Sequence, residues 1–379
     1  MTLRAVALLA LSWIVSAPIA AIYFVGLAGV RRSLRSLRRP APRPAARGVA
    51  VVVPARNEAE RLPTLLSALS RAGRGVSSVT VVDDGSTDGT LSVALEAARA
   101  DPRVRAVRVE EPPPGWAPKA YAEHVGALGA EGSAYLFLDA DVRGDVEALA
   151  SIVSSEAGPG TLVAFEPLFR CSTARCRAAQ PLLTAVLHGF FGFHRALDPR
   201  DGHSIMYGCC WGVDAYSFWE EGGMSLVRSE LLEDRTLAVR LKERGFRLAA
   251  FDARGLVYVE SWRGFGDLVN LMRRVSYRTT TGMSRLRFAL SAAGVFLLFL
   301  WPLAAAPLYL AAGPLAALGP IADYALEAAF ALAGQLAEGI RGPWFLLAPV
   351  AGAVIAYGVA TSRGSRIEWR GRSFSPRGT

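Results

Sequence analysis

Lysine is almost missing from this 379-residue chain: of its 42 basic residues, only Lys119 and Lys242 are not arginine. Against that background a retained ammonium, compact and with three donors, suits a phosphate or sugar contact, with random drift from arginine as the alternative. Histidine and cysteine are scarce too, four of each. Cys171 and Cys176 are five apart, and Cys209 and Cys210 are adjacent. That spacing is unlike the paired CxxC of zinc sites, so reduced, structural thiols are expected. His124, His188, His194 and His203 show no metal-ligand spacing. No Gly-x-Gly-x-x-Gly follows the first strand-like run, and no Gly-x-x-x-x-Gly-Lys-Ser/Thr occurs. The phosphate cradles of dinucleotide-binding and P-loop proteins are therefore absent.

Charge is missing over long stretches. Residues 5–30, 288–322 and 342–362 carry no charged side chain, and a helix needs about 20 apolar residues to cross ~30 Å of hydrocarbon. A wholly soluble or disordered chain is excluded. The net charge of +9 raises nucleic acid as a partner, but the arginines abut the apolar runs: Arg31, Arg32, Arg35, Arg38 and Arg39 after the first, Arg363, Arg366, Arg370, Arg372 and Arg377 after the last. Positive-inside topology accounts for them, so a membrane partner and no nucleic acid is expected. Small residues at Ser16–Ala20 offer a signal-peptide alternative, but the apolar run is long and its positive charges follow it, which favours an anchor.

The expected organisation is an N-terminal transmembrane anchor (1–30), a basic linker (31–47), a cytoplasmic catalytic domain (48–280), a C-terminal membrane region (281–362) with spans at about 288–312 and 343–361, and a basic cytoplasmic tail (363–379). Residues 321–339, with Asp323, Glu327, Gln335 and Glu338 loosely on one face, suit a helix on the outer surface. Three crossings result, with the centre of the chain in the cytoplasm of an integral cell-membrane protein.

Between the anchors, strand-like and helix-like runs alternate: strands at 48–54, 76–82, 104–109 and 134–138, helices at 58–72, 88–100 and 118–130. In the first helix Leu62, Leu65, Leu66 and Leu69 share one side. Such alternation predicts an α/β fold with a doubly wound, mostly parallel sheet. Three polar clusters follow strands: Pro54-Ala55-Arg56-Asn57-Glu58, Asp83-Asp84-Gly85-Ser86-Thr87-Asp88 and Asp139-Ala140-Asp141. Each alone makes a respectable turn or helix cap. Together they fall at the C-terminal strand ends, where open α/β sheets bind ligands, and predict a nucleotide site. Asp139 and Asp141, one residue apart, suit a hard cation such as Mg²⁺ or Mn²⁺ that bridges phosphate oxygens.

These motifs, in order and joined by Glu233-Asp234, resemble those of the family-2 glycosyltransferases with the GT-A (Rossmann-like) fold. The resemblance covers about residues 48–280. The flanking membrane runs, Gly115-Trp116-Ala117-Pro118-Lys119 and the tail Ile367-Glu368-Trp369-Arg370-Gly371-Arg372 are similar to members that glycosylate lipids such as ceramide, hopanoids or carotenoid acids. The resemblance implies that Pro54, Arg56, Asn57, Glu58, Asp83 and Asp84 bind the base and ribose of a nucleotide-sugar donor. It assigns Asp139 and Asp141 to the metal and Asp139 to the diphosphate as well. UDP is the carrier implied, with GDP and dTDP open. Asp234, beside Glu233, becomes the general base of an inverting transfer to a membrane lipid. Alone, two acids at a helix start simply complement its dipole.

Processive members carry Gln-x-x-Arg-Trp. Here Asn270-Leu271-Met272-Arg273-Arg274 keeps the Arg and loses the Gln and Trp, which speaks against polymer synthesis. Arg273 in the catalytic set and Arg274 toward the diphosphate are implied, although both also suit anionic head groups. The apolar, aromatic segment within 180–196 reads as an interfacial helix, or as a buried one. Trp211, Trp219 and Trp262 suit either sugar stacking or core packing. The alternatives are transfer to a polyprenyl phosphate, which needs a cationic acceptor pocket, and a non-catalytic nucleotide-sugar-binding scaffold. A nucleotidyltransferase wants a Gly-rich basic loop that 54–58 does not provide.

Overall fold

A computed structural model of the chain describes residues 2–41, 47–73, 75–364, 367–369 and 372–374. Residues 42–46 of the expected linker, and Arg366, Arg370, Gly371 and Arg377 of the basic tail, lie outside the described residues.

In chain order, helix α1 (Leu3–Ser36) leads to β1 (Val49–Ala55), α2 (Leu62–Arg71), β2 (Val76–Asp84), α3 (Thr90–Ala100), β3 (Val104–Val109), α4 (Pro118–Leu128) and β4 (Ala134–Leu138). Next come β5 (Val142–Gly144), α5 (Val146–Glu156), β6 (Thr161–Glu166), β7 (Leu168–Arg170), α6 (Ala174–Phe191), α7 (Phe193–Ala196), β8 (Cys210–Asp214), α8 (Ala215–Glu220) and α9 (Glu233–Glu243). The remainder is β9 (Arg247–Asp252), β10 (Val257–Glu260), α10 (Phe265–Thr281), α11 (Arg285–Leu300), α12 (Ala305–Ala312), α13 (Pro314–Ala337), α14 (Ala348–Ala360) and a short antiparallel pair, β11 (Ile367–Trp369) with β12 (Arg372–Phe374). These form two compact units, one of residues 35–170 and 193–260, the other of 1–34, 171–192 and 261–379. Residues 171–192 and 261–280, expected within the catalytic domain, thus cluster with the apolar helices.

The first unit is built on a seven-stranded sheet of order β3-β2-β1-β4-β8-β6-β9. Its Val- and Leu-rich strands are buried, as both-face coverage by helices requires. Strands β3, β2, β1 and β4 are parallel neighbours, as are β6 and β9, whereas β8 runs antiparallel to both β4 and β6. A smaller sheet, β5-β10-β7, lies in the same unit. Register fixes the ligand edge. Ala55 lies opposite Asp83, Asp84 opposite Val109, and Leu138 opposite Cys210. The antiparallel β8 therefore delivers the residues before it, Gly208 and Cys209, to the end of β4. Pro54 is tolerated because β1–β4 pairing stops at Val52–Phe137, so its missing N–H interrupts no bond on that side.

Among the described residues three segments, all or nearly all within the second unit, are long and apolar enough to cross a membrane: Leu3–Ser36, Arg285–Ala312 and Pro314–Ala337. The last includes most of the expected surface helix. Its Asp323 and Glu327 are fully buried rather than facing water. The run 343–361 instead forms a 3₁₀ turn, Trp344–Leu347, and the 13-residue α14. Segment 180–196 is mainly the end of α6, where Leu182, Leu183 and His188 are buried and His188 Nδ1 lies 2.8 Å from Ser33 Oγ. Cys171 and Cys176 differ from expectation by forming a disulfide. Their Cα atoms, on either side of the α6 N-cap Thr173, are 5.4 Å apart and within bridging reach. Cys209 and Cys210 are free.

Small residues let α1 approach α6 closely, the usual device where apolar helices pack without a hydrophobic drive between them. A Cβ at Gly29 would lie 2.0 Å from the Gly189 carbonyl oxygen, whereas one at Gly294 meets nothing within 4 Å. Gly29→Leu is accordingly expected to destabilise the protein by about 1–3 kcal/mol or more, read as a lowered thermal midpoint in detergent. Gly294→Leu should leave the midpoint in place; equal effects of the two would refute this packing.

Candidate active site

Pro118 starts α4 at a position where a missing N–H costs nothing, after Ala117 in extended conformation. This sets Lys119 in the first helical turn. Its side chain is only 16% exposed, and Nζ lies 2.9 Å from Asp139 Oδ1, 3.2 Å from Glu233 Oε1 and 3.9 Å from Glu123 Oε1. The Gly208 carbonyl oxygen is a further acceptor at 3.5 Å. Burial opposes the ammonium, but Asp139, Glu233, Glu123 and Asp234 outweigh it and hold its pKa well above the usual lysine value.

Asp234 joins this cluster from the first turn of α9. Its Oδ2 accepts the Gly208 N–H at 2.8 Å and its Oδ1 the Arg235 N–H at 2.6 Å. A Cβ at residue 208 would fall 2.8 Å from that Oδ2, so the approach depends on glycine. Both oxygens thus have a backbone donor and keep lone pairs for another proton donor.

The turn after β4 is held from several sides. The Asp139 N–H donates to the Cys209 carbonyl at 2.9 Å. Arg143 donates to the carbonyls of Ala140 at 3.2 Å, Val142 at 3.0 Å and, across to the first loop, Arg61 at 2.9 Å. Asp139 and Asp141 present hard oxygen donors, and Asp139 is about a third exposed. Carboxylates outnumber the one lysine around them. This donor set fits Mg²⁺ or Mn²⁺. Among the described residues no three or more His, Cys, Asp or Glu are grouped to hold a metal ion; Asp139 and Asp141 are the two that would hold it.

The first two motifs are zipped together. Arg56 donates to the Asp84 carbonyl and, at 3.0 Å, to that of Gly85. Asn57 adopts a left-handed φ of 53°, which Asn tolerates better than most residues. Its N–H donates to Ser86 Oγ at 3.0 Å, and its Oδ1 accepts from the Thr87 N–H at 2.9 Å. The Glu58 N–H donates to Thr90 Oγ1 at 2.8 Å, while its carboxylate pairs with Arg61 at 3.2 Å. Asn57 and Glu58 thus shape the loop. Asp83 is fully buried with Arg108 3.4 Å away, and neither of its oxygens accepts a hydrogen bond among the described residues.

The structure brings together Lys119, Asp139, Glu233 and Asp234. Arg273 and Arg274 belong to the other unit, where Arg273 Nε donates to Thr361 Oγ1 at 2.9 Å. Trp211 is a core residue stacked 4.0 Å from Phe137. Trp219 and Trp262 spend their indole N–H groups on Tyr135 Oη and Gln180 Oε1, both at 2.9 Å. Sequence reasoning missed Glu123, Gly208 and Arg143. Only Glu123 had a signal, the i,i+4 spacing from Lys119.

Residues 50–222 match Glycosyl transferase family 2. A 4,4'-diaponeurosporenoate glycosyltransferase of Staphylococcus haemolyticus is 35% identical over 246 residues, which cover 63% of this chain and 64% of that protein; the chain thus matches just under two thirds of its relative's length. A mannosyltransferase from Pyrobaculum calidifontis, solved with GDP-Man and Mn²⁺, has a TM-score of 0.53 at 20% identity, covering 91% of this chain and 97% of that one. That likeness establishes the shared fold.

Glu123 generates a pH prediction. Burial raises its pKa well above 4.5; Lys119 opposes this, and Glu233, Asp139 and Asp234 add to it. Above pH ~4.5 the unfolded chain gives up this proton while the folded protein keeps it, so stability falls as pH rises toward the folded pKa. Glu123→Gln is expected to remove that slope and to gain on the native protein by up to about 1.4 kcal/mol per pH unit. Thermal unfolding between pH 5 and 8 measures it; parallel pH profiles for the two proteins would contradict it.

Proposed function

From the premise that this chain carries a family-2 glycosyltransferase domain, we propose that it moves a sugar from a nucleotide-diphosphate donor to a membrane lipid at the cytoplasmic face, with inversion. The observation that carries the reading is the convergence of Lys119, Asp139 and Asp234 at one edge of the sheet, with separations short enough for one substrate to touch all three. The name of the staphylococcal relative supports a lipid acceptor. The arginines that follow the first apolar helix support a cytoplasmic catalytic unit.

In this mechanism the acceptor hydroxyl oxygen attacks the anomeric carbon while the bond from that carbon to the diphosphate oxygen breaks. The electron pair leaves with the nucleoside diphosphate, and the hydroxyl proton passes to Asp234. The two N–H groups that Asp234 accepts hold it in place as the base. Lys119 offers an ammonium to the charge that develops on the diphosphate. The buried Asp83 carboxylate, with oxygens to spare, is suited to donors of the base or ribose. Arg274, whose Nε is buried without an acceptor among the described residues, is suited to an anion. Asp139 and Asp141 would hold Mg²⁺ or Mn²⁺, which supplies positive charge to the diphosphate. UDP is the proposed carrier, and the neighbour bound to GDP-Man makes GDP the comparison to run beside it.

The test is transfer of radiolabelled UDP- and GDP-sugars into extracted lipid by the full-length protein in detergent with Mn²⁺. The native protein should label lipid. Asp234→Asn should retain donor binding and lose transfer by about 10²-fold or more. Near-native transfer by Asp234→Asn would remove it as base, and failure of the native protein to turn over any nucleotide sugar would count against the whole reading.

A further inference from the structure

We propose that Lys119 is a built-in counter-ion: it occupies Asp139 in the nucleotide-free protein and releases that carboxylate only when a diphosphate draws the ammonium away, so that divalent cation and nucleotide bind as a coupled pair. The proposal rests on the reading that this edge binds a nucleotide diphosphate. It goes further by assigning Lys119 a role before the substrate arrives.

The geometry puts the ammonium on the carboxylate expected to take the metal. Nζ is 2.9 Å from Asp139 Oδ1, a full charge-assisted hydrogen bond. A dication on the same carboxylate would sit within a few Å of the ammonium, which is only 16% exposed, and like charges so close beside protein repel more strongly than in bulk water. Lys119 and a metal ion therefore compete for Asp139.

What allows the exchange is the ring of other acceptors. Glu233 Oε1 at 3.2 Å, Glu123 Oε1 at 3.9 Å and the Gly208 carbonyl at 3.5 Å keep the ammonium solvated by protein when Asp139 is withdrawn. An incoming diphosphate brings its own negative charges and competes for Nζ. Once Nζ turns toward phosphate, the Asp139 oxygens are free for the cation. Lysine suits such an exchange, because an ammonium on a flexible stem can move among monodentate acceptors, whereas a guanidinium fork tends to be locked by a carboxylate. Arginine stands at nearly every other basic position of this chain.

Linkage makes the proposal measurable. If Lys119 couples the two ligands, nucleotide strengthens Mn²⁺ binding by the same factor that Mn²⁺ strengthens nucleotide binding. Free Mn²⁺ is followed by electron paramagnetic resonance, with full-length protein in nanodiscs, alone and with saturating UDP or GDP, after correction for Mn²⁺–nucleotide complexes in buffer. The native protein should bind Mn²⁺ weakly alone and about tenfold or more tightly with nucleotide. Lys119→Met and Lys119→Gln should bind Mn²⁺ about tenfold more tightly than the native protein without nucleotide, with most of the coupling lost. Unchanged nucleotide-free Mn²⁺ affinity in a folded Lys119 variant, or coupling retained at its native size, overturns the proposal. The native protein alone can also overturn it, by binding Mn²⁺ equally well with and without nucleotide. Independent binding of both ligands would leave the proposed function standing, whereas binding of neither would end both.

Discussion

The ion-pair network around the Lys119 ammonium is what the candidate site depends on. Four acidic side chains from three places in the chain, Glu123, Asp139 and the pair Glu233 and Asp234, surround one positive charge. Without that charge the ionised acids among them would repel each other. Removing one member of a buried ion pair commonly costs about 3–5 kcal/mol because its partner stays behind uncompensated. A lone lysine in such a place is weak evidence for stability and better evidence for a site that handles charge. Lys242 shows the other use of an ammonium in this chain. It donates to three backbone carbonyls, those of Ala196 at 2.9 Å, His203 at 2.8 Å and Arg195 at 3.4 Å, and fastens a loop.

The sheet delivers the members of the network by register. Parallel β1, β2 and β4 finish on one edge, which brings the first three acidic clusters together. The contribution of β8 is different, since its antiparallel course brings Gly208 and Cys209 back to the end of β4. Gly208 then serves twice, giving its N–H to Asp234 and its carbonyl to Lys119. A side chain at 208 would push Asp234 away, so backbone shape and the position of this carboxylate are set by one residue. Arg143 ties the Asp139–Asp141 turn to the loop after β1, which joins the third acidic cluster to the first.

Much of this edge was legible in the sequence because its strands are local and uninterrupted. The run at 76–82 appears as β2 at Val76–Asp84, and 104–109 as β3 at Val104–Val109. Lys119 stood out by rarity and Asp234 by its place in a series of motifs. What stayed hidden depends on long-range pairing or on burial. The antiparallel β8 has no periodicity that distinguishes its direction. Glu123 looks like a surface residue of an amphipathic helix until α4 is packed. Asp323 and Glu327 look solvent-directed for the same reason, and only the packing of α13 shows them buried. The Cys171–Cys176 bridge follows from a turn geometry that spacing alone does not specify.

A structure of the full-length protein with UDP and Mn²⁺ would test the central claim most directly. The account predicts the diphosphate at the ends of β1, β2 and β4, with Mn²⁺ on Asp139 and Asp141, Lys119 Nζ on a phosphate oxygen and Asp234 facing the position of the sugar. Nucleotide bound elsewhere, or bound there with Lys119 still on Asp139 and no ion between protein and phosphate, would contradict it.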